Sequence, residues 1–423
     1  MAPVRFSHRW RVAGSGLHRK FGFQGSQKNA NISANLVASG RSRVISDLGI
    51  PGEPNSRRIG ISGTQKIDNV EGESALYIPA LDGLRFVAFL FVLMSHISNA
   101  LPADRGWIGV EVFFVISSFL FFHLLNAEYR AIGRIDIFKF FARRLLRIYP
   151  LMMLYSFLMF IIFSPENSNS IFRLVGLALL ADNLVIWVRG YNTVIPFAAH
   201  LWTLSYEFQI YLIIPIAYLI YRRCGASKFL IILCLVWLIC LIARAICVAI
   251  GVKHPVIWVT PFLRPESTLL GIAISLGILA RIPIWVVCGV LFVAATALVL
   301  GPNVDVAGWW NIALYPISAA FAGALLRLAL AQSAMTKVLN LPVMNYLGRI
   351  SFGLYVYHLL GRHLATLSLS WLAINSDTAW YVFGQFSLTL AITVVLATIS
   401  YFAFERWFLS AKRNLAIVVG KAG

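Results

Sequence analysis

From Tyr77 onward the chain alternates apolar blocks of about 20 residues with short basic segments, and about 20 residues is the length a helix needs to cross ~30 Å of hydrocarbon. The blocks lie near 80–101, 107–126, 148–164, 202–221, 229–250, 263–280, 283–300, 309–330, 345–367 and 379–405. A further stretch, 171–188, is interrupted by Arg173, Asp182 and Asn183. The pattern predicts an all-α polytopic membrane protein with about ten transmembrane helices, ten or eleven according to how 171–188 is counted. Charge decides between them. If 171–188 does not cross, the basic segments Arg130 to Arg147, Arg222 to Lys228, Arg281, Arg327 to Lys337 and Arg406 to Lys421 share one side, as the positive-inside bias requires. Counting it as a span would put Arg222, Arg223 and Lys228 outside and invert every later loop. Ten spans with both termini cytoplasmic are therefore expected, with 171–188 partial or interfacial.

Residues 1–76 are rich in Ser, Gly, Asn and Arg and show no sustained apolar period, so a disordered basic cytoplasmic tail is expected there. The first 43 residues carry eight basic and no acidic side chains, a composition that superficially suits an organelle transit peptide, but a tail is the preferred reading. With no h-region and cleavage site, the first span must serve as its own insertion signal. The membrane domain is expected over 77–408, followed by a short cytoplasmic tail over 409–423, in the cell (inner) membrane.

Composition agrees: of 423 residues, 59% are hydrophobic and only 13% charged, about half the charge of a soluble globule. The net charge of +19 raises a nucleic-acid partner, but the basic residues concentrate between apolar blocks, with no aromatic-interleaved basic strand, so nucleic acid is not expected. The five cysteines, at 224, 234, 240, 247 and 288, fall mostly inside apolar runs and suit packing rather than a disulfide or metal framework, so no metal is expected.

An ionisable side chain inside a bilayer costs at least ~2.5 kcal/mol and needs a partner, a cavity or a function. Three stripes stand out. Asp82, Arg85 and His96 share one wall of the first span, because 11 residues at ~100° each make nearly three turns. His200, Thr203, Glu207 and Tyr211 follow helical spacing on the fourth, and Ser351, Tyr355, His358 and Arg362 on the ninth. Interhelical hydrogen bonding would explain any one stripe. Three stripes, each with a histidine, together with Glu111, Arg264 and Glu266 in or near other apolar segments, favour a polar interior site. A histidine beside carboxylates is the usual general-base arrangement, since a carboxylate can fix its tautomer. Arg143, Arg144 and Arg147 stand just before the third span. They serve as a positive-inside anchor, a phosphate-gripping site, or both.

The segments ALDGLRFVAFLFVLMSH (80–96), GVEVFFVISSFLFF (109–122), FFARRLLRIYPL (140–151), HLWTLSYEFQIYL (200–212), RPESTLLGIAIS (264–275), LGRISFGLYVYHLL (347–360) and FERWF (404–408) resemble, in order, the acyltransferase-3 family of integral membrane acyltransferases, which O-acylate bacterial surface glycans and related acceptors. The resemblance implies that Arg85 and His96 form the family's Arg-ten-His motif, with His96 the catalytic base. It ties Arg144 and Arg147, its Arg-x-x-Arg motif, to the acyl donor, and sets Glu111, Glu207 and His358 on characteristic polar positions. The chain departs from the family pattern at Ser118, where Gly is usual, at Phe208, where a second acid is common, and at Trp407, where Pro is usual. Larger members carry a C-terminal esterase-like domain, which is not expected here.

The expected activity is transfer of an acyl group, acetyl most simply, from cytoplasmic acyl-CoA to a glycan or lipid-linked glycan hydroxyl at or across the membrane, with no permanently bound cofactor. Expected catalytic residues are His96, Arg85 and Glu207; donor-binding residues Arg144, Arg147 and Arg143; and supporting polar residues Asp82, Glu111, His200, His358, Tyr355 and Glu266. A transporter or flippase for a glycan or small anionic solute is the rival, since it too would place charges and histidines among many spans.

Overall fold

A computed structural model of the chain describes residues 77–98, 101–164, 168–192, 195–306, 308–371 and 379–414, all within the compact unit Ile67–Gly423. The expected tail over 1–76 and the end of the chain after 414 lie outside the described residues. The architecture is helical, with no strand among the described residues: α1 Pro79–Ile97, α2 Ile108–Ile132, α3 Ile137–Phe163, α4 Ser168–Ala178, α5 Asp182–Arg189, α6 Trp202–Ala249, α7 Val256–Val259, α8 Glu266–Ser275, α9 Ile284–Leu300, α10 Trp310–Leu330, α11 Ala334–Leu339, α12 Pro342–Arg349, α13 Ser351–Trp371, α14 Ala379–Ser400 and α15 Arg406–Asn414.

Six helical stretches, beginning at Pro79, Ala103, Ile137, Ala199, Trp310 and Trp380, are long and apolar enough to cross a membrane, fewer than the ten blocks in the sequence. The stretch from Ala199 accounts for two of those blocks, because α6 is broken at Gly225, whose φ of 78° only glycine adopts without strain. At ~1.5 Å per residue, α8, with its ten residues, rises only ~15 Å and cannot span by itself. The block 345–367 is not one helix either: it divides at Ile350 into the short α12 and α13.

The stretch 171–188 forms a hairpin of α4 and α5, neither long enough to cross. Its corner is held by a buried ion pair between Arg173 and Asp182. The arginines expected just before the third span lie inside α3, which starts earlier because the Asp136 side chain caps the Lys139 N–H at 2.9 Å.

Helix α2 is central, packing on α1, α6, α8 and α10, while α1 also meets α11 to α14. The contact between α1 and α12 is backbone-close: a Cβ on Gly348 would collide with the Asp82 carbonyl. Outward residues such as Phe157, Ile162, Ile239, Phe292 and Phe383 are exposed and apolar, the surface a bilayer would cover.

Candidate active site

A cavity of about 660 Å³ opens among α1, α2, α3, α6, α12, α13 and the Tyr401–Leu409 segment. Six arginines line it (Arg85, Arg143, Arg144, Arg147, Arg349 and Arg406) against three carboxylates, Asp82, Glu128 and Glu207. That excess of positive charge suits an anionic ligand. Arg349 and Arg406 are exposed and mark the rim, whereas Ser117, Thr203 and Tyr355 are buried and line the interior.

The arginines differ in what already engages them. Arg85 pairs with Asp82 at 2.6 Å, and Asp82 also accepts the Tyr77 hydroxyl at 2.8 Å. Burial and that hydrogen bond push the Tyr77 phenol up to about 12. Arg143 pairs with Glu128 at 3.0 Å, and Arg144 stacks with its guanidinium carbon 3.8 Å from the Phe121 ring centroid. Arg147 faces the same cavity with no hydrogen bond or ion pair among the described residues. Of the three donor-binding candidates, Arg147 and Arg144 therefore keep guanidinium N–H groups for a ligand, while Arg143 is committed to Glu128.

Deeper in the cavity, Glu207 accepts a hydrogen bond from Ser117 at 2.6 Å and another from Tyr211. It makes none to a histidine among the described residues, so Glu207 does not fix a histidine tautomer there. His96 is fixed instead by its own helix. Its Nδ1 lies 2.8 Å from the Val92 carbonyl, which can only accept, so Nδ1 carries the proton and Nε2 presents its lone pair.

The three histidines of the separate stripes converge. The ring centroids of His96 and His358 are 4.9 Å apart, and those of His358 and His200 4.5 Å. His358 repeats the His96 arrangement, with Nδ1 2.6 Å from the Tyr355 carbonyl. None of the three lines the cavity. Tyr355 and Thr203 do, and the Tyr355 ring stands 5.1 Å from His200 and 5.6 Å from His358. Among the described residues, no group of three His, Cys, Asp or Glu side chains is arranged to hold a metal ion.

Glu111 and Glu266 belong elsewhere. Glu111 pairs with Arg264 and accepts Ser267 Oγ at 2.5 Å, and Glu266 pairs with Arg244 at 2.6 Å. Arg264 is boxed by Trp258 and Tyr206, at 3.9 and 4.7 Å to their ring centroids. These pairs tie α8 to α2 and α6 outside the cavity. Conversely, sequence reasoning passed over Tyr77, Ser117, Glu128, Arg349 and Arg406 as cavity residues. Ser117 and Arg349 sit within family-like segments, and a polar residue inside or beside an apolar run is the signal that could have marked them.

The fold and the site define a multi-helix membrane protein with an open-mouthed cationic cavity next to a histidine cluster. The chain belongs to the acyltransferase-domain family, whose sequence model matches residues 78–398. It is similar to the O-acetyltransferase OatA of Staphylococcus aureus, 35% identical over 35% of this chain and 26% of that protein. It also resembles a second Staphylococcus aureus protein, provisionally named an O-acetyltransferase, at 25% identity over 78% of this chain and 57% of that one. The chain thus spans between a quarter and just over half of the length of these relatives. No solved structure matches it.

Proposed function

We propose that the protein is a membrane O-acetyltransferase that moves an acetyl group from acyl-CoA to a hydroxyl of a glycan or lipid-linked glycan. The observation that carries the reading is a cation-rich cavity whose wall residue Tyr355 packs against a cluster of three histidines that includes His96, in a chain of the acyltransferase family. The names of its relatives support acetyl as the group moved.

In this reading the chain crosses the membrane several times with both termini cytoplasmic, and the cavity rim faces the cytoplasm. The CoA phosphates meet Arg147, Arg144 and the rim arginines, whose planar forks match phosphate oxygens. Arg85 lies at the cavity end of α1, and His96 stands 11 residues on, ~16 Å along the helix axis. An extended pantetheine arm is of that order of length. His96 Nε2 takes the proton of the acceptor hydroxyl, and the oxygen attacks the thioester carbonyl.

Arg85, bound to Asp82, supplies positive charge within the cavity, and Glu207 orients Ser117 and Tyr211 along its wall. The family match and the joining of cavity to histidine cluster at Tyr355 favour this over a transporter.

The experiment is acetyl transfer from acetyl-CoA to surface polysaccharide by wild-type and His96→Ala protein in lipid nanodiscs, with the mass of the polysaccharide repeat compared in cells with and without the protein. Loss of one acetyl mass per repeat, with transfer abolished by His96→Ala at unchanged membrane abundance, is expected. Retained transfer by that variant would sink the assignment of His96.

A further inference from the structure

Of the three carboxylates that line the cavity, two have both oxygens engaged. Asp82 accepts Arg85 on Oδ1 and the Tyr77 hydroxyl on Oδ2, and Glu128 accepts the Asp136 N–H on Oε1 and Arg143 on Oε2. Glu207 differs. Its hydrogen bonds from Ser117 and Tyr211 both end on Oε1, which leaves Oε2 without a partner among the described residues. Glu207 is only partly buried and lines the cavity, so the two hydroxyls fix one oxygen of the carboxylate and leave the other to a hydrogen-bond donor. A cavity rich in arginine that keeps one carboxylate oxygen open suits a ligand with both anionic groups and a donor.

The neighbours of Glu207 say which part of such a ligand it meets. Thr203, Glu207 and Tyr211 follow one another at four-residue intervals on α6, about 6 Å apart along its axis. Beyond Tyr211, the Phe121 ring stands 4.7 Å away, and the Arg144 guanidinium lies over that ring at 3.8 Å. In the other direction, Thr203 Oγ1 is 2.6 Å from the Tyr355 hydroxyl, and Tyr355 packs on His358. All six side chains line the cavity, in the order Arg144, Phe121, Tyr211, Glu207, Thr203, Tyr355. Glu207 therefore stands between a guanidinium suited to phosphate and the wall that backs onto the histidines. In acyl-CoA the stretch between phosphates and thioester is the pantetheine arm. Its single hydroxyl lies beside the phosphates, and the donors along the rest of it are two secondary amide N–H groups.

We propose that Glu207 Oε2 accepts one of the pantetheine amide N–H groups and so sets how far the thioester reaches along the cavity; this rests on the reading of acyl-CoA as donor. Glu207 is then a donor-binding residue that selects for an amide-bearing arm, while Ser117 and Tyr211 hold its carboxylate in place.

The test measures donor KM and kcat in nanodiscs, with surface polysaccharide as acceptor, for wild type and Glu207→Gln. The donors are acetyl-CoA and two analogues in which one or the other pantetheine amide N–H is replaced by an ester oxygen. Glutamine keeps an oxygen for Ser117 and Tyr211 and puts an NH2 group where Oε2 stood, so it meets the amide N–H with a second donor. Wild type should use one of the two analogues ~10- to 100-fold less well than acetyl-CoA, through KM, the range for a hydrogen bond to a charged group. Glu207→Gln should lose a similar factor with acetyl-CoA and no longer discriminate against that analogue. Ser117→Ala loosens the same carboxylate and should narrow the discrimination, and it carries the test if Glu207→Gln does not fold.

Wild type that uses both analogues as well as acetyl-CoA would overturn the proposal and leave acyl-CoA as the donor. So would a Glu207→Gln loss that falls on kcat equally for all three donors, since that marks a base or a structural role. Wild-type protein that turns over none of the donors would refute the acyl-CoA reading itself, and the proposal with it.

Discussion

Replacing single arginines of α3 separates ligand binding from folding, because neighbouring residues of one helix are engaged so differently. Arg143 and Glu128 form an ion pair with side chains 10% and 5% exposed, and Glu128 also accepts the Asp136 N–H at 2.7 Å. Arg143→Gln strands a buried carboxylate, an event that costs ~3–5 kcal/mol of stability. Arg147 forms no hydrogen bond or ion pair among the described residues and meets the buried Glu405 only at longer range, so Arg147→Gln should cost less stability than Arg143→Gln.

If Arg147 grips a CoA phosphate, the lost charge-assisted hydrogen bond is worth ~1.5–3 kcal/mol. At ~1.4 kcal/mol per tenfold, CoA affinity should fall ~10- to 100-fold. Arg147→Lys should fall between, since it keeps the charge and loses the fork. Equilibrium CoA binding in nanodiscs, with melting temperature measured on the same samples, checks both arms, and the Arg147 effect should shrink as salt rises. Wild-type CoA affinity in Arg147→Gln, or a melting loss as large as that of Arg143→Gln, would refute the assignment.

Other consequences are as concrete. Gly348→Ala pushes a methyl group into the Asp82 carbonyl, so it should part α12 from α1 and lower the folded yield in detergent size-exclusion profiles. Arg264→Met leaves Glu111 buried and unpaired, with an expected loss of ~3–5 kcal/mol in thermal unfolding, most of it recovered when Glu111 is made Leu as well. The Tyr77 phenol, raised to about 12 in the folded protein, should be missing from the tyrosinate absorbance step near pH ~10, as shown by difference spectra against Tyr77→Phe. Since its folded pKa lies above its unfolded value, the stability it contributes is complete below pH ~10 and is lost as the pH climbs through that higher value, a loss that Tyr77→Phe should not show.

How much of this was legible in the sequence depends on which interactions are local. The stripes through Arg85 and His96, through His200 and Glu207, and through Tyr355 and His358 were readable because helical periodicity fixes which residues share a face. Their convergence on one histidine cluster was not, because it depends on how α1, α6 and α13 pack. The limits of the helices were misread for the same reason. The sequence 345–367 is apolar enough to read as one span, yet the close approach of Gly348 to Asp82 binds α12 to α1 and sets α13 off as a separate helix. Glu111 and Glu266 looked like site residues because an acid in an apolar run carries the same signal whether it reacts or is neutralised. Their arginine partners lie 153 and 22 positions away in the chain.

That ambiguity is resolved by asking what each buried polar group touches. Asp82, Glu111, Glu128, Asp182 and Glu266 each hold an arginine, and such pairs fix helix positions at a desolvation cost their partners offset. Glu207 holds no arginine among the described residues; it holds two hydroxyls of the cavity wall. Nε2 of His358 has no hydrogen-bond partner among the described residues, a costly state for a buried polar atom. The paired acids therefore account for the architecture, since Asp182 anchors the α4–α5 corner and Glu111 and Glu266 pin α8 to α2 and α6. Buried atoms without partners among the described residues occur at the histidine cluster but also at Arg244, Arg264, Glu266, Thr389 and Thr393, so unmet hydrogen-bonding capacity does not by itself mark a site, and the cavity lined by Arg144, Arg147 and Glu207 is the better guide to where a ligand fits.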